Sequence, residues 1–465
     1  MTPPTPLSAT LTTRQMAAFA GPSVLLFLYR AASYMLPALY AARFKFDLAD
    51  LATILFTLRM IELALQLPAG MVSDAIRHPR WGRKPAVFIC IALGGLATFM
   101  LYRPPADATL VYFGVWIALA TLAGSLAEVA YGAWATEITS EYRERGRCAT
   151  FQAWASIVGK ELFSIVPLLW FVSSKRMSFE SLGVLGWILV GLVPLIVAWS
   201  WFGAPAGQAA VRTERVRWRQ VWDIVQHNRP LHVVLVISLF WELGSGLFFG
   251  LDFMRIDSYL HAGQAVPYQG LFGVWAGAAG LALFQWLVRR HDKHRLWALS
   301  MVGLALSWLP QLLLSPGQPG LVPILVGFTL LMYFFAAGVV VVPMAIVGDL
   351  ADYEGLRSGQ RAAGPMVALL QLINKLSGGI SAISLGVVSL FGFKPGQPTY
   401  GPIEGFGLLL FNLALPAVLL LVAAAVAWTR YPITQKRHRA IARALERRSR
   451  KAAAPELPAA PVAPA

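Results

Sequence analysis

The sequence predicts an all-α membrane protein: twelve transmembrane helices in two pseudo-symmetric six-helix halves. Three observations carry this. Of 465 residues, 57% are hydrophobic and only 13% charged, and the mean hydropathy is +0.60, which excludes a soluble globular domain. The apolar residues gather into runs of about 20, the length that crosses a bilayer, and the chain has room for about twelve. Lys and Arg concentrate in alternate short loops and in the tail, the distribution that marks the cytoplasmic side. The net charge of +16 therefore reflects topology, and no nucleic-acid partner is expected.

Taken in order, residues 1–16 form a polar, Pro/Thr-rich tail without the basic-then-apolar order of a signal peptide. An N-terminal half covers 17–202. Its spans are expected at Ala17–Ala42, Leu51–Ser73, a third opened by Pro85 and ending near Tyr102, Leu110–Ala135, Thr150–Val172 and Leu182–Phe202. A basic linker, 203–230, follows. The second half, 231–430, holds spans at Leu231–Tyr259, Tyr268–Val288, Leu296–Leu314, Leu321–Val347, Pro365–Phe391 and Gly405–Trp428. Residues 348–364 are read as a loop after span ten. The tail, 431–465, is basic and then Ala/Pro-rich. The loops after spans two, four, six, eight and ten carry most of the cations, which places both termini in the cytoplasm. The halves echo one another. Span four ends in a carboxylate followed by Tyr142 and Arg145, and span ten in Asp349 followed by Tyr353 and Arg361.

Charged groups inside the apolar runs point to function, because an ionised side chain at the bilayer centre costs about 2.5–3.5 kcal/mol on insertion scales. Arg59, Glu62 and Gln66 share one face of span two at i, i+3 and i+7. Arg30 lies in span one, Glu128 and Tyr131 in span four, Glu242 in span seven, and Gln371, Asn374 and Lys375 in span eleven. Lys160 and Glu161 interrupt span five. A carboxylate beside an aromatic ring suits a polyol, whose CH faces stack and whose hydroxyls bond. One carboxylate beside Gln66 is a poor Na⁺ cage, whereas a buried Glu can carry a proton, so H⁺ coupling is favoured over Na⁺. Static pairs are the competing expectation: Glu62 with Arg59 or Arg30, and Glu128 with Lys375 or Lys160. Asp252, Arg255 and Asp257 read as an outer gate or local ion pairs. Asp74, Arg83, Arg145, Asp349, Asp352 and Arg361 lie in the loops, where charge-assisted bonds would hold helix ends together in one state of a transport cycle. No phosphate-binding loop and no Ser/His/Asp set is present, so neither an enzyme nor a cofactor is expected. Cys90 and Cys148 imply neither a disulfide nor a metal site.

Three motifs carry a family resemblance. They are Gly70-x-x-x-Asp74 with Trp81-Gly82-Arg83-Lys84-Pro85; Glu128-x-x-Tyr131 with Glu137-x-Thr139 and Glu141-Tyr142-Arg143-Glu144-Arg145; and Asp349-x-x-Asp352-Tyr353-Glu354 with Gly359-Gln-Arg361-x-x-Gly364 and Lys375. In register over nearly the whole chain, they resemble the major facilitator superfamily and, within it, the glycoside-pentoside-hexuronide:cation symporters of the melibiose permease group. The resemblance implies a transporter that couples sugar movement to H⁺, Na⁺ or Li⁺. It matches Glu62 to the first of two cation-site carboxylates, with Gln66 in the place of the second. Glu128 matches the carboxylate shared by the sugar and cation sites, and Lys375 the span-eleven lysine. The group's sugar-binding arginine falls at Ala153 and its stacking aromatic at Gly132, and its span-one aspartate has no acidic match.

The expectation is a bacterial inner-membrane symporter of a sugar or glycoside, with the bilayer and a small solute as its partners and no obligate protein partner. Glu62, Glu128 and Gln66 would couple the cation. Arg30, Arg59, Tyr131, Glu242, Gln371, Asn374 and Lys375 would line the cavity. Two rivals remain. One is an amphipathic lipid cargo such as a lysophospholipid; the other is a non-transporting sensor or assembly factor.

Overall fold

The structure, a computed structural model, describes residues 11–75, 77–139, 141–207, 218–358 and 363–453. Among them, nine helices are long and apolar enough to cross a membrane, and a bent pair makes ten. Spans two (Leu48–Ala75) and five (Tyr142–Ile165) complete the twelve. They have the length to cross and carry the charged groups described below. The others are span three, Lys84–Tyr102; four, Leu110–Glu137; six, Phe179–Gly203; seven, Arg229–Tyr259; eight, Ala265–Val288; nine, Lys293–Leu313; ten, Leu321–Ser358; eleven, Ala363–Leu390; and twelve, Pro402–Arg430. The chain is an integral multi-pass membrane protein.

Span one departs from the single helix expected. It runs Thr13–Ala31, breaks, and resumes as Leu36–Phe44 with a 41° bend. Pro37 explains the break: it has no N–H, and its ring would collide with the carbonyl of Ser33 one turn back. The turn is closed instead by short bonds from Ser33 N to Arg30 O and from Met35 N to Ala32 O. The loop expected at 348–364 is another correction. Span ten stays helical to Ser358, so Asp349 and Asp352 ride on a helix, and an i, i+3 pair between Glu354 and Arg357 at 2.8 Å supports its last turn. Span five likewise begins at Tyr142, inside the expected loop, and ends before Pro167. Spans seven and twelve each contain a π-helical turn, Arg255–Tyr259 and Leu410–Ala414.

Each half packs on itself. Spans one and five, three and four, and three and six pair in the first; seven and eleven, eight and ten, and nine with ten and twelve pair in the second. The halves meet where span two packs on eleven and span five on eight. One apolar core contains residues of both halves. It takes its second-half members from the end away from the termini, among them Leu251, Leu260, Ala265, Leu385 and Phe393. At the termini end, the core built on Leu231, Val234 and Trp297 belongs to the second half alone. The halves are therefore sealed together at the distal end, around a cavity that lies between them.

Candidate functional site

The central cavity has a volume of about 670 Å³, inside the range of roughly 300–1,000 Å³ usual for small-molecule sites. Spans one, four, five, seven, eight and ten all contribute. Its walls are largely apolar and include six aromatic side chains, Phe27, Tyr34, Phe163, Phe249, Phe253 and Tyr333. Set among them are four charged side chains, Arg30, Glu128, Lys160 and Asp252. Arg30 donates to Glu128 at 2.6 Å, and the two side chains are 69% and 37% exposed, so this pair stands open to the cavity. The Lys160 ammonium lies 3.8 Å from the Tyr333 ring centroid, a cation–π contact from span five to span ten across the halves. Among the described residues no carboxylate forms a salt bridge with Lys160.

A smaller polar pocket of about 60 Å³ lies beside the cavity and shares Arg30, Tyr34 and Glu128 with it. It adds Arg59 and Glu62 from span two. Arg59 donates to Glu62 at 2.6 Å, and Lys375 of span eleven approaches the other carboxylate oxygen at 3.4 Å. Span eleven admits the Arg59 guanidinium because residue 378 is glycine: a Cβ there would lie 2.9 Å from Arg59 Nε. The Glu62–Lys375 pair thus ties the first half to the second. Lys375 joins Glu62 in this structure, and Arg30 rather than Lys375 or Lys160 joins Glu128.

Several expected cavity residues are placed elsewhere. Tyr131 is 6% exposed; its hydroxyl donates to Phe19 O at 2.8 Å and lies 3.1 Å from Ser23 Oγ, so it braces span four on span one. It is turned about 60° around the helix from Glu128, and the cavity edge falls between them. Glu242 is buried and lines neither the cavity nor the polar pocket. Its stretch of span seven packs on span eleven, where Ser245 meets Ser377 at 3.4 Å. Gln371 and Asn374 are exposed and lie outside the central cavity, on the same helix face as Lys375. Gln66 and Asp74 lie on span two, but their side chains, and all of Arg361, fall outside the described residues.

The loop residues whose side chains are described, Arg83, Arg145, Asp349 and Asp352, form the following ion pairs and bonds within their own half or with the tail helix. Arg83 donates to Glu137, the last residue of span four, at 2.9 Å, and Arg77 adds a 3.5 Å contact to the same carboxylate. Lys84 donates to the carbonyls of Trp201 and Ala204, both at 2.6 Å. Gly82 makes the turn possible with φ +59°, and a Cβ there would strike the Ala206 carbonyl. Arg145 caps span four through the carbonyls of Thr139 and Thr136 at 2.9 and 3.4 Å. In the second half Lys293 pairs with Asp349 at 2.6 Å, and His438 of the tail helix Gln435–Ala453 sits 3.2 Å from Asp349 and 3.3 Å from Asp352. Glu137 with Arg83 and Asp349 with Lys293 are the same device twice: a carboxylate on the fourth helix of a half holding a cation just before or at the start of the third.

Residues 18–435 match the family described as MFS/sugar transport protein. The chain belongs to that family. A lactose permease of Lactobacillus delbrueckii subsp. bulgaricus is 24% identical over 424 residues, 85% of this chain and 65% of the relative. A raffinose carrier protein of Pediococcus pentosaceus is 22% identical over 428 residues, 85% of this chain and 64% of the relative. The chain thus spans a little under two thirds of the length of these relatives. A crystal structure of the nucleoside transporter NupG superposes with a TM-score of 0.65 at 13% identity, covering 90% of this chain and 100% of that one; the likeness is one of fold. Within this MFS/sugar transport protein, Tyr34, Phe249 and Tyr333 are cavity residues that the sequence does not single out, since aromatic rings are common in any membrane helix. Asp252, expected in an outer gate or a local ion pair, pairs with Arg255 at 2.6 Å and also stands on the cavity wall, and Lys160, which interrupts span five, faces the same space.

Proposed function

We propose that the protein is a cation-coupled symporter that moves a sugar or glycoside across the bacterial inner membrane by alternating access. One observation carries the reading: a pocket holding Glu62 shares Arg30, Tyr34 and Glu128 with the solute-sized central cavity. Both oxygens of Glu62 are engaged by cations, Arg59 and Lys375. A proton or Na⁺ arriving at Glu62 must therefore compete with Lys375, and occupancy would weaken the link between spans two and eleven. A solute entering between Arg30 and Glu128 perturbs the neighbouring pair through the shared wall. Cation and solute then bias the same equilibrium between outward and inward states. H⁺ is favoured, because Arg59 and Lys375 stand where a Na⁺ would need oxygen ligands.

The positive-inside distribution supports termini in the cytoplasm. With the distal ends sealed, this conformation is then closed to the outside. The relatives named for lactose and raffinose support a glycoside cargo. The apolar stretches of the wall, with their six aromatic side chains, also favour a second reading, an amphipathic solute such as a lysophospholipid. Uptake of labelled lactose, raffinose and lysophosphatidylcholine into proteoliposomes, under imposed pH or Na⁺ gradients, decides between them. Gradient-driven accumulation of a sugar upholds the proposal, accumulation of the lysolipid alone transfers it to the second reading, and no accumulation of any of them refutes it.

A further inference from the structure

We infer that Asp252, held by a buried Arg255, is the second-half ligand for a solute hydroxyl, facing the Arg30–Glu128 pair of the first half; this rests on the sugar-or-glycoside reading. Phe249, Asp252, Phe253 and Ile256 all line the central cavity. They follow i, i+3, i+4 and i+7, so one continuous face of span seven forms this wall. Asp252 is the acidic group on it. Its side chain keeps 23% exposure, while that of Arg255 keeps 1%.

Arg255 is fixed from three helices. Nη2 donates to Asp252 Oδ1 at 2.6 Å and to Gln311 Oε1 of span nine at 2.9 Å, and Nε donates to Asn412 Oδ1 of span twelve at 2.7 Å. Asn412 is held in turn by donating to the Phe248 carbonyl at 2.8 Å. Both Arg255 and Asn412 sit in π-helical turns, irregularities that recur at functional sites. This is a positioned carboxylate with a supporting shell. One oxygen is anchored away from the cavity, and Oδ2 has no partner among the described residues. The pair is a local one, and its cavity-facing carboxylate and the two helices behind its guanidinium, spans nine and twelve, go beyond what an outer gate or a local ion pair needs. A polyhydroxylated solute bound to Arg30 and Glu128 on one wall and to Asp252 on the other would bridge the halves. Bridging is what converts solute binding into a change in their relative position.

Binding without any gradient tests this. Titration calorimetry of purified wild type and Asp252→Asn with lactose and with raffinose is the measurement, together with the thermal midpoint of each protein without sugar. The expected result is binding by wild type and a tenfold to hundredfold weaker Kd in the variant, the loss of one charge-assisted hydrogen bond. Both proteins are titrated below their midpoints, since removing the carboxylate beside the buried Arg255 also lowers the variant's midpoint. Equal affinity in the two proteins overturns the inference and leaves the sugar reading standing, whether or not the midpoint falls. Absence of binding by wild type to either sugar overturns both. Should Asp252→Asn fail to fold, Asp252→Glu keeps the bond to Arg255 and moves the carboxylate into the cavity. At least tenfold weaker binding there supports the assignment, and wild-type affinity overturns it.

Discussion

Glu62→Gln is the substitution on which the coupling scheme turns. It preserves shape and removes the charge shared by Arg59 at 2.6 Å and Lys375 at 3.4 Å. At 3.4 Å and an effective dielectric of about 20, the attraction of Lys375 alone is about 5 kcal/mol before desolvation. The lysine side chain keeps 30% exposure and Glu62 12%, so water and the cost of desolvation reduce the net value to about 1–2 kcal/mol. Because the pair joins spans two and eleven across the halves, its loss should shift the balance between sealed and separated distal ends by roughly 5- to 30-fold. The variant should retain exchange of labelled for unlabelled sugar, which needs solute binding and movement but no net cation flux. It should lose accumulation under an imposed gradient. Proteoliposomes measured in both modes read the two separately. Accumulation at the wild-type level by Glu62→Gln would refute the argument, since among the described residues Glu128 is the one other carboxylate lining the small pocket.

The distal seal can be tested directly. A Cβ at residue 386 would lie 3.4 Å from that of Ala52, close to disulfide geometry, so Ala52→Cys with Gly386→Cys, in a background lacking Cys90 and Cys148, should cross-link on oxidation. Cross-linking should abolish transport until a reductant is added; undiminished transport by the oxidised protein would count against alternating access at this seam. Glu137→Gln removes the charge that Arg83 engages at 2.9 Å and Arg77 at 3.5 Å and should lower stability by about 2 kcal/mol, read as a fall in thermal midpoint with Arg77 and the 82–85 turn becoming accessible to trypsin. Gly280→Ala drives a methyl into the backbone carbonyl of Phe334, where spans eight and ten approach closely. It should cost about 1–3 kcal/mol, and an unchanged midpoint would mean that these helices can separate freely.

Much of the membrane plan was legible in the chain. Twelve apolar runs, a basic linker and three spaced motifs are local properties, and the structure adds helix to the motifs rather than moving them. Pro37 was equally visible, but its effect on span one required noticing that it falls one turn beyond Ser33 inside a run. The helical extension to Ser358 was hidden because charged residues read as loop, whereas i, i+3 pairs such as Glu354–Arg357 stabilise exposed helix. Glu62, Arg59 and Lys375 stand out in the sequence because each is costly in a bilayer, and the structure places Arg59 and Lys375 on the Glu62 carboxylate, outside the central cavity where Arg59 and Lys375 were expected. Tyr131 and Glu242 were misplaced for a related reason. Polarity inside an apolar run shows that a group needs a partner, but not whether that partner is a solute or a neighbouring helix.

The sequence by itself determined that this protein crosses the membrane about twelve times and that a few ionisable groups must be sheltered within it. Those follow from transfer free energies, which act residue by residue. Only the tertiary structure decided which charges meet. Arg30 with Glu128 and Glu62 with Lys375 are chosen by helix rotation and by gaps such as the one at Gly378. The physical reason is that a Coulomb pair depends on distances of a few ångströms between distant parts of the chain, and packing alone fixes those.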